Sequence, residues 1–291
     1  KHVKMNGRRE TGHEWGTNPC SEIILRPYQF CNLTEVVVRE TDDLESLRRK
    51  VRLATILGTA QSTFTNMPYL RKIWQKNTEE ERLLGVSLTG IMDNYLLSKT
   101  VDSKKWLEAL KAQAIDVNRI YADKLGINPS TAITCVKPSG TVSQLCDTAS
   151  GIHDRHAQQY IRTVRVDKKD PLYHFMVSKG FVIEDDVHRP DSTAVVSFAI
   201  KAPDNCVTRD ETSAIEACKL WLLYQREWCE HKPSVTITVK DDEWPEVGAW
   251  VYKHFDEVSG ISFLPHTDHT YQQAPYQDIS AEDFQTWITE N

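Results

Sequence analysis

Residues 131–145 read Thr131-Ala132-Ile133-Thr134-Cys135-Val136, then without a break Lys137-Pro138-Ser139-Gly140-Thr141-Val142-Ser143-Gln144-Leu145. The first six are β-branched or small and apolar, the signature of a buried strand. Pro138, Ser139 and Gly140 stand where a strand gives way to a helix. Thr141 and Ser143 place hydroxyls beside that helix's first free N–H groups. Strand, tight turn and helix in succession are the grammar of an α/β protein. The same alternation extends outward. Upstream, residues 35–38 form a short β-branched run. Residues 42–65 carry Leu44, Leu47, Val51, Ala54 and Leu57 at helical spacing. Residues 77–81 read as a helix start with a capping box from Thr78 to Glu81. Residues 103–125 repeat Trp106, Leu107, Leu110, Ala114, Val117 and Tyr121 before Gly126 closes the helix. Downstream, strands are predicted over 193–201, 234–240 and 260–264, with helices over 212–230 and 246–257. The expectation is an α/β fold with mostly parallel strands, a barrel or a sheet, forming one domain or part of one.

Composition bounds the function. Of 291 residues, 40% are hydrophobic and 26% charged, enough for a sizeable core. The net charge of −6 argues against a protein held on nucleic acid by bulk charge. No apolar run approaches the length of a membrane span. The start, Lys1-His2-Val3-Lys4-Met5, is neither a signal peptide nor an initiator Met, so the chain reads as a piece of something longer. Seven widely spaced cysteines, with no C-x-x-C pair, fit a reducing cytoplasm better than a disulfide scaffold or a zinc ribbon.

Several stretches can carry chemistry. In Asn18-Pro19-Cys20-Ser21-Glu22 an extended backbone would aim Asn18, Cys20 and Glu22 to one side. A thiol can act as nucleophile or hydrogen-atom carrier, a carboxylate can take a proton, and an amide can hold a hydroxyl or carbonyl. A surface loop around a buried cysteine is the plainer alternative. Cys31 follows eleven residues later, and a turn at Pro27 would let the two thiols meet, as a redox pair or as two core residues. The Pro138, Ser139, Gly140, Thr141, Val142, Ser143 segment is either an anion site suited to phosphate or an ordinary capped helix; it is not a Walker loop. His153 and His156 lack an acidic or cysteine partner at a telling spacing, so no metal site is expected. Arg162, Arg165, Lys168 and Lys169 read as a solvated face or as help in holding a phosphate. Residues 265–276, polar and aromatic, read as a long loop.

Together these motifs resemble ribonucleotide reductase catalytic subunits, above all the adenosylcobalamin-dependent ribonucleoside-triphosphate reductases. Residues 18–22 look like the family's N-x-C-x-E finger-loop motif, near 15–33. Cys31 sits where that class places half of its active-site dithiol, and residues 137–145 look like its substrate-phosphate loop. The likeness continues through Ser150-Gly151-Ile152-His153, Trp228-Cys229-Glu230-His231-Lys232-Pro233-Ser234, and Ser262-Phe263-Leu264-Pro265 to Ala274-Pro275-Tyr276. It therefore covers nearly all of residues 1–291.

The resemblance implies the C-terminal half of a ten-stranded α/β barrel with a catalytic finger loop. It implies that Cys20 becomes a thiyl radical with adenosylcobalamin as cofactor and takes the ribose 3′ hydrogen. Glu22 accepts the 3′-hydroxyl proton, Asn18 orients the substrate, and Cys31 with a partner cysteine supplies the reducing equivalents. The implied partners are a ribonucleotide, thioredoxin or a similar dithiol, and the missing N-terminal half that carries Cys31's partner. A reductase served by a separate metal-radical subunit is the alternative within the family. It needs a tyrosine relay, for which Tyr271 and Tyr276 are not adjacent. A nucleotide-binding half-domain without chemistry is the alternative outside it. No D-x-H-x-x-G cobalamin motif is present; Asp186-Val187-His188-Arg189-Pro190 does not match it.

Overall fold

The computed structural model describes residues 2–99, 102–266 and 271–290. Within them the strands are β1 (Gly16–Thr17), β2 (Ile24–Leu25), β3 (Asn32–Val37), β4 (Leu84–Thr89), β5 (Thr134–Cys135), β6 (Gln159–Asp167), β7 (Ile183–Asp185), β8 (Thr193–Lys201), β9 (Val235–Val239), β10 (Ile261–Pro265) and β11 (Tyr276–Asp278). The helices are α1 (His2–Asn6), α2 (Leu44–Gln61), α3 (Lys72–Glu81), α4 (Tyr95–Ser98), α5 (Ser103–Leu125), α6 (Val142–Leu145), α7 (Pro171–Ser178), α8 (Ala214–Glu227), α9 (Trp244–Lys253) and α10 (Ala281–Glu290). They fall into two compact units. The first comprises Lys1–Asp154, Asn205–Val207 and Glu211–His266; the second comprises Arg155–Asp204, Thr208–Asp210 and Thr267–Asn291.

The first unit is a parallel array. β3, β4 and β5 pair in that order, all parallel, with Thr34 opposite Val86 and Ser87 opposite Cys135. A parallel bridge from Val136 to Pro233 carries the array on to β9, which pairs in parallel with β10. Helices connect the strands, as parallel pairing requires. α2 begins at Asp43, whose carboxylate accepts from the Ser46 N–H while the Ser46 hydroxyl bonds back to the Asp43 N–H. It buries Leu47 and Val51, one turn apart, against β3 and β4. α5 buries Leu107, Leu110 and Ala114 and stops where Gly126 takes a left-handed φ of 66°. β4 is buried along its whole length, as befits a strand covered on both faces. Trp221 and Trp228 fill the core beneath β5 and β9, their indole N–H groups donating to the Pro233 and Cys135 carbonyls at 2.9 and 2.8 Å.

The second unit is an antiparallel sheet in the order β11-β6-β8-β7. Its longest ladder joins β6 to β8 from Gln159 opposite Lys201 to Asp167 opposite Thr193.

Four expectations change. The strands are mostly parallel only in the first unit. Residues 77–81 end α3 instead of starting a helix, because Glu81 is drawn inward to Arg9, with 2.7 Å bonds to both carboxylate oxygens. The basic run lies on and just after β6 with partners for three of its members: Arg162 stacks on Tyr276 at 4.4 Å, Arg165 pairs with Asp186 and Lys168 with Asp185. The loop expected over 265–276 is trimmed at its two ends, since Pro265 closes β10 and Tyr276 opens β11, while the described residues between, 266 and 271–275, are in neither a strand nor a helix; 267–270 lie outside the described residues.

Candidate functional site

β1 and β2 form a short antiparallel hairpin, with Gly16 opposite Leu25 and Thr17 opposite Ile24. Its tip is Asn18-Pro19-Cys20-Ser21-Glu22. The segment is a turn and not the extended strand that residue spacing suggests. The Ser21 N–H donates to the Asn18 carbonyl at 2.9 Å, and Ser21 takes φ +71°. Asn and Pro at the first two positions favour such a turn. Asn18, Cys20 and Glu22 still converge, by a different route. Asn18 Nδ2 donates to Glu22 Oε1 at 2.8 Å, and Asn18 Oδ1 accepts the Ile23 N–H at 3.0 Å. The hairpin is fixed from behind by buried Arg9, which donates to the Ile24 carbonyl, pairs with Glu81 and lies over the Trp15 ring.

Glu22 is fully buried. Its Oε1 accepts from Asn18 and also from Lys137 Nζ at 3.2 Å, whereas its Oε2 is buried with no hydrogen-bond partner. A carboxylate oxygen left so is costly unless something else uses it. Cys20 is exposed, and Lys137 Nζ stands 3.7 Å from its Sγ. Burial works against the Lys137 ammonium, but Glu22 and Cys20 together hold its pKa above the usual lysine value. Lys232, on the far side, donates its backbone N–H to the Glu22 carbonyl, and its ammonium reaches Ser259 and Ser21 at 3.1 and 3.5 Å. Burial pulls that ammonium down to about 8, against the attraction of Glu22.

Cys31 precedes β3 and is unpaired; no disulfide links it to Cys20. Burial pushes its thiol far up, and the Glu22 charge adds to this. Gly85 on the neighbouring strand lies beside it: a Cβ there would come 2.4 Å from Leu33 Cδ2 and 3.3 Å from the Cys31 sulfur.

The 137–145 segment is anchored by its own hydroxyls. The Lys137 N–H donates to Ser87 Oγ at 2.9 Å. Ser139 Oγ donates to Glu35 Oε2 and accepts the Ser143 N–H, and Ser143 Oγ donates to the Ser139 carbonyl. Ser139 and Ser143 are therefore buried in holding the loop's shape. Gly140, Thr141 and Val142 are left with no hydrogen bond to their N–H groups among the described residues. Burial raises the Glu35 carboxyl despite the Ser139 bond and the nearby Lys137 charge.

The 228–234 motif is a clamp. Glu230 accepts the Ile133 N–H and two bonds from Arg8. His231 bridges the Leu84 carbonyl through Nε2 at 2.9 Å and the Ile24 N–H through Nδ1 at 3.4 Å, so the ring is neutral, with its proton on Nε2. Burial, helped by Arg9, lowers its pKa to about 3. His153 is likewise structural, its ring between the Ser150 carbonyl and the Thr236 N–H. His156 pairs with Asp278. Among the described residues no group of three or more His, Cys, Asp and Glu side chains is placed to hold a metal.

Sequence reading found Asn18, Cys20, Glu22, Cys31 and the 137–145 loop, and the structure places all of them in the first unit. It gave no role to Lys137, Lys232 or Glu35. Their signal was present in part, since Lys137 heads the loop and Lys232 lies in a quoted motif, but their contacts span about a hundred residues or more of sequence.

No protein-family profile matches the chain. Its curated relatives include the adenosylcobalamin-dependent ribonucleoside-triphosphate reductases of Lactobacillus gasseri, 29% identical over 94% of this chain and 40% of that protein, and of Euglena gracilis, 28% identical over 98% and 39%. The chain thus spans about two fifths of the length of the curated relatives it matches. Among solved structures, a B12-dependent (class II) ribonucleotide reductase superimposes with a TM-score of 0.83 at 26% identity, over 98% of this chain and 43% of that one. The class Id reductase alpha subunit of Actinobacillus ureae matches at 14% identity with a TM-score of 0.55, a likeness of fold alone. Fold and hairpin together make this chain similar to the ribonucleotide reductase barrel. Within that group, its curated relatives are the adenosylcobalamin-dependent ribonucleoside-triphosphate reductases, the class the motifs resemble.

Proposed function

We propose that the chain is the C-terminal half of the catalytic barrel of a thiyl-radical reductase that converts ribonucleoside triphosphates to 2′-deoxyribonucleotides for DNA synthesis in the cytoplasm. It acts with the N-terminal half of the barrel as a single catalytic body. The observation that carries the reading is the hairpin tip: an exposed thiol beside a buried carboxylate with one free oxygen, next to a loop with unpaired backbone N–H groups.

In this reading Gly140, Thr141 and Val142 receive the substrate phosphates through their N–H groups, with Pro138, Ser139 and Ser143 shaping the loop. Cys20, at the exposed tip, fits a thiol met from outside the chain; adenosylcobalamin, when bound, supplies the radical that converts it to a thiyl. The Cys20 sulfur then takes the 3′ hydrogen atom, forming S–H and leaving the radical on C3′. Glu22 Oε2 accepts the 3′-hydroxyl proton, while Asn18 holds the carboxylate in place. The C2′–O bond breaks, and the 2′-hydroxyl leaves as water with a proton from the dithiol. The remaining thiol of the pair delivers a hydrogen atom to C2′, the disulfide radical anion so formed passes one electron to the C3′ ketone as Glu22 returns its proton to the 3′ oxygen, and Cys31 and its partner cysteine are left as a disulfide, two electrons in total. The burial that keeps Cys31 protonated suits a thiol that delivers hydrogen. Cys20 returns its hydrogen to C3′, and thioredoxin or a similar dithiol reduces the disulfide. No described helix is long and apolar enough to cross a membrane.

The test is a reduction assay on the barrel completed by its N-terminal half, in cis or as a second chain, with ribonucleotide, dithiol and adenosylcobalamin. Deoxynucleotide should form only with the cofactor and disappear in Cys20→Ser. Product formed with a metal-radical subunit instead would move the chain to the other reductase class. Nucleotide binding without product in either case would leave a binding half-domain.

A further inference from the structure

Lys137 does more than head the loop. Its main chain is fixed by Ser87, and its side chain reaches the hairpin tip, where one ammonium contacts Glu22 Oε1 at 3.2 Å and Cys20 Sγ at 3.7 Å. Asn18 donates to the same Oε1, so the two donors saturate one carboxylate oxygen and leave the other, Oε2, buried and unpartnered.

We propose that Lys137 is a functional residue of the radical site in its own right: with Asn18 it selects Oε2 as the oxygen of Glu22 that accepts the substrate proton, and it holds that carboxylate and the Cys20 sulfur on a single cation. The proposal rests on the reductase reading and adds a residue to it. In the proton transfer the substrate O–H bond breaks and an O–H bond forms on Oε2. Lys137 neither gains nor loses a proton; it fixes the geometry and balances the charge. Because its backbone starts the phosphate loop, the same residue couples seating of the phosphates to the register of thiol and base. Removing the ammonium leaves Asn18 as the one donor to Oε1 and loosens the carboxyl, so proton acceptance is less firmly aimed.

Two measurements test this. In the completed reductase, Lys137→Met should lower kcat about 100-fold, the scale of a misplaced reacting group, with little change in KM. Lys137→Arg, which keeps a cation, should regain part of the loss. A rise in KM with kcat intact would make Lys137 a phosphate ligand only and overturn the proposal. In the chain alone, an NMR titration of the lysine Nζ signals, assigned with Lys137→Met, should place Lys137 above the ordinary lysine value of about 10.4, and Glu22→Gln should bring it back down. Titration at the ordinary value, unmoved by Glu22→Gln, would remove the contact on which the proposal stands. A wild-type enzyme without turnover would overturn the reductase reading, and the proposed role with it.

Discussion

Gly151, in the Ser150-Gly151-Ile152-His153 motif, is the position where backbone geometry and the site meet most directly. Its φ is +56°, and an added Cβ would stand 2.5 Å from the Lys137 carbonyl oxygen. Its N–H donates to Thr89 Oγ1 and its carbonyl accepts the Ile91 N–H. The turn is therefore pinned on two sides and cannot swing away. Gly151→Ala should incur two costs. A left-handed non-glycine residue costs about 1–2 kcal/mol, and forcing atoms into a packed backbone contact costs about 1–3 kcal/mol more. Two other glycines separate these terms. Gly126 has φ +66° with nothing within 4 Å of its Cβ position, so Gly126→Ala bears the conformational term alone. Gly140 has neither constraint, and Gly140→Ala should stay within about 0.5 kcal/mol of wild type. Urea unfolding followed by the fluorescence of Trp221 and Trp228, both fully buried in the first unit, reads the effect. With a slope of about 2 kcal/mol per molar urea, the midpoint should fall by about 1–2.5 M for Gly151→Ala and about 0.5–1 M for Gly126→Ala. Equal midpoints for the two variants would refute the close packing of Gly151 on the Lys137 carbonyl.

Two further outcomes follow from buried charge. Burial pushes the Asp154 carboxyl up to about 7, against its hydrogen bond from Thr212, so the folded state binds its proton more tightly than the unfolded chain does. The stability this contributes is fully present below about pH 4 and is lost as pH rises through 7; Asp154→Asn should lose less stability than wild type between pH 5 and pH 8, and an unchanged pH dependence of the urea midpoint would refute the assignment. Arg9→Met takes from Glu81 its two strongest bonds and leaves it only Gln29 and Thr131 as hydrogen-bond donors, with Arg26 at 4.0 Å, and should cost about 3–5 kcal/mol; the double variant Arg9→Met with Glu81→Leu should be more stable than Arg9→Met in thermal unfolding, a result that a purely apolar role for the Arg9 side chain would not produce.

What was legible in the sequence was local chemistry; what was not was pairing over distance. The β-branched run at 131–136 and the apolar spacing of α2 and α5 report burial directly, because period and composition are local properties. β4 escaped notice because Gly85 and Ser87 interrupt its apolar run, and both are there for neighbours: Gly85 makes room for Leu33, whose Cδ2 would stand 2.4 Å from a Cβ there, and Ser87 accepts the Lys137 N–H. The acidic end of α3 imitates a helix start, since Glu79, Glu80 and Glu81 would suit an N-terminus; the cations that place them at the C-terminus, Arg9 and Arg26, lie more than fifty residues away. The hairpin tip shows the same division. Asn18, Cys20 and Glu22 were recognisable from their spacing, yet strand alternation is not what brings them together. Asn-Pro opens a turn, Ser21 adopts a left-handed conformation, and Glu22 swings back to Asn18. The asymmetry of Glu22, one oxygen saturated and one bare, needs Lys137, 115 positions along the chain, as well as Asn18. An N-x-C-x-E motif specifies which groups meet at the tip. The strand order β3-β4-β5 and the turn after β5 bring Lys137 up to the hairpin, where it joins Asn18 on Oε1 and, in the proposed reading, leaves Oε2 for the substrate proton. A motif copied without that turn would therefore keep its thiol, its carboxylate and the Asn18 bond, and lose the cation that, in the proposed reading, fixes the direction of proton transfer.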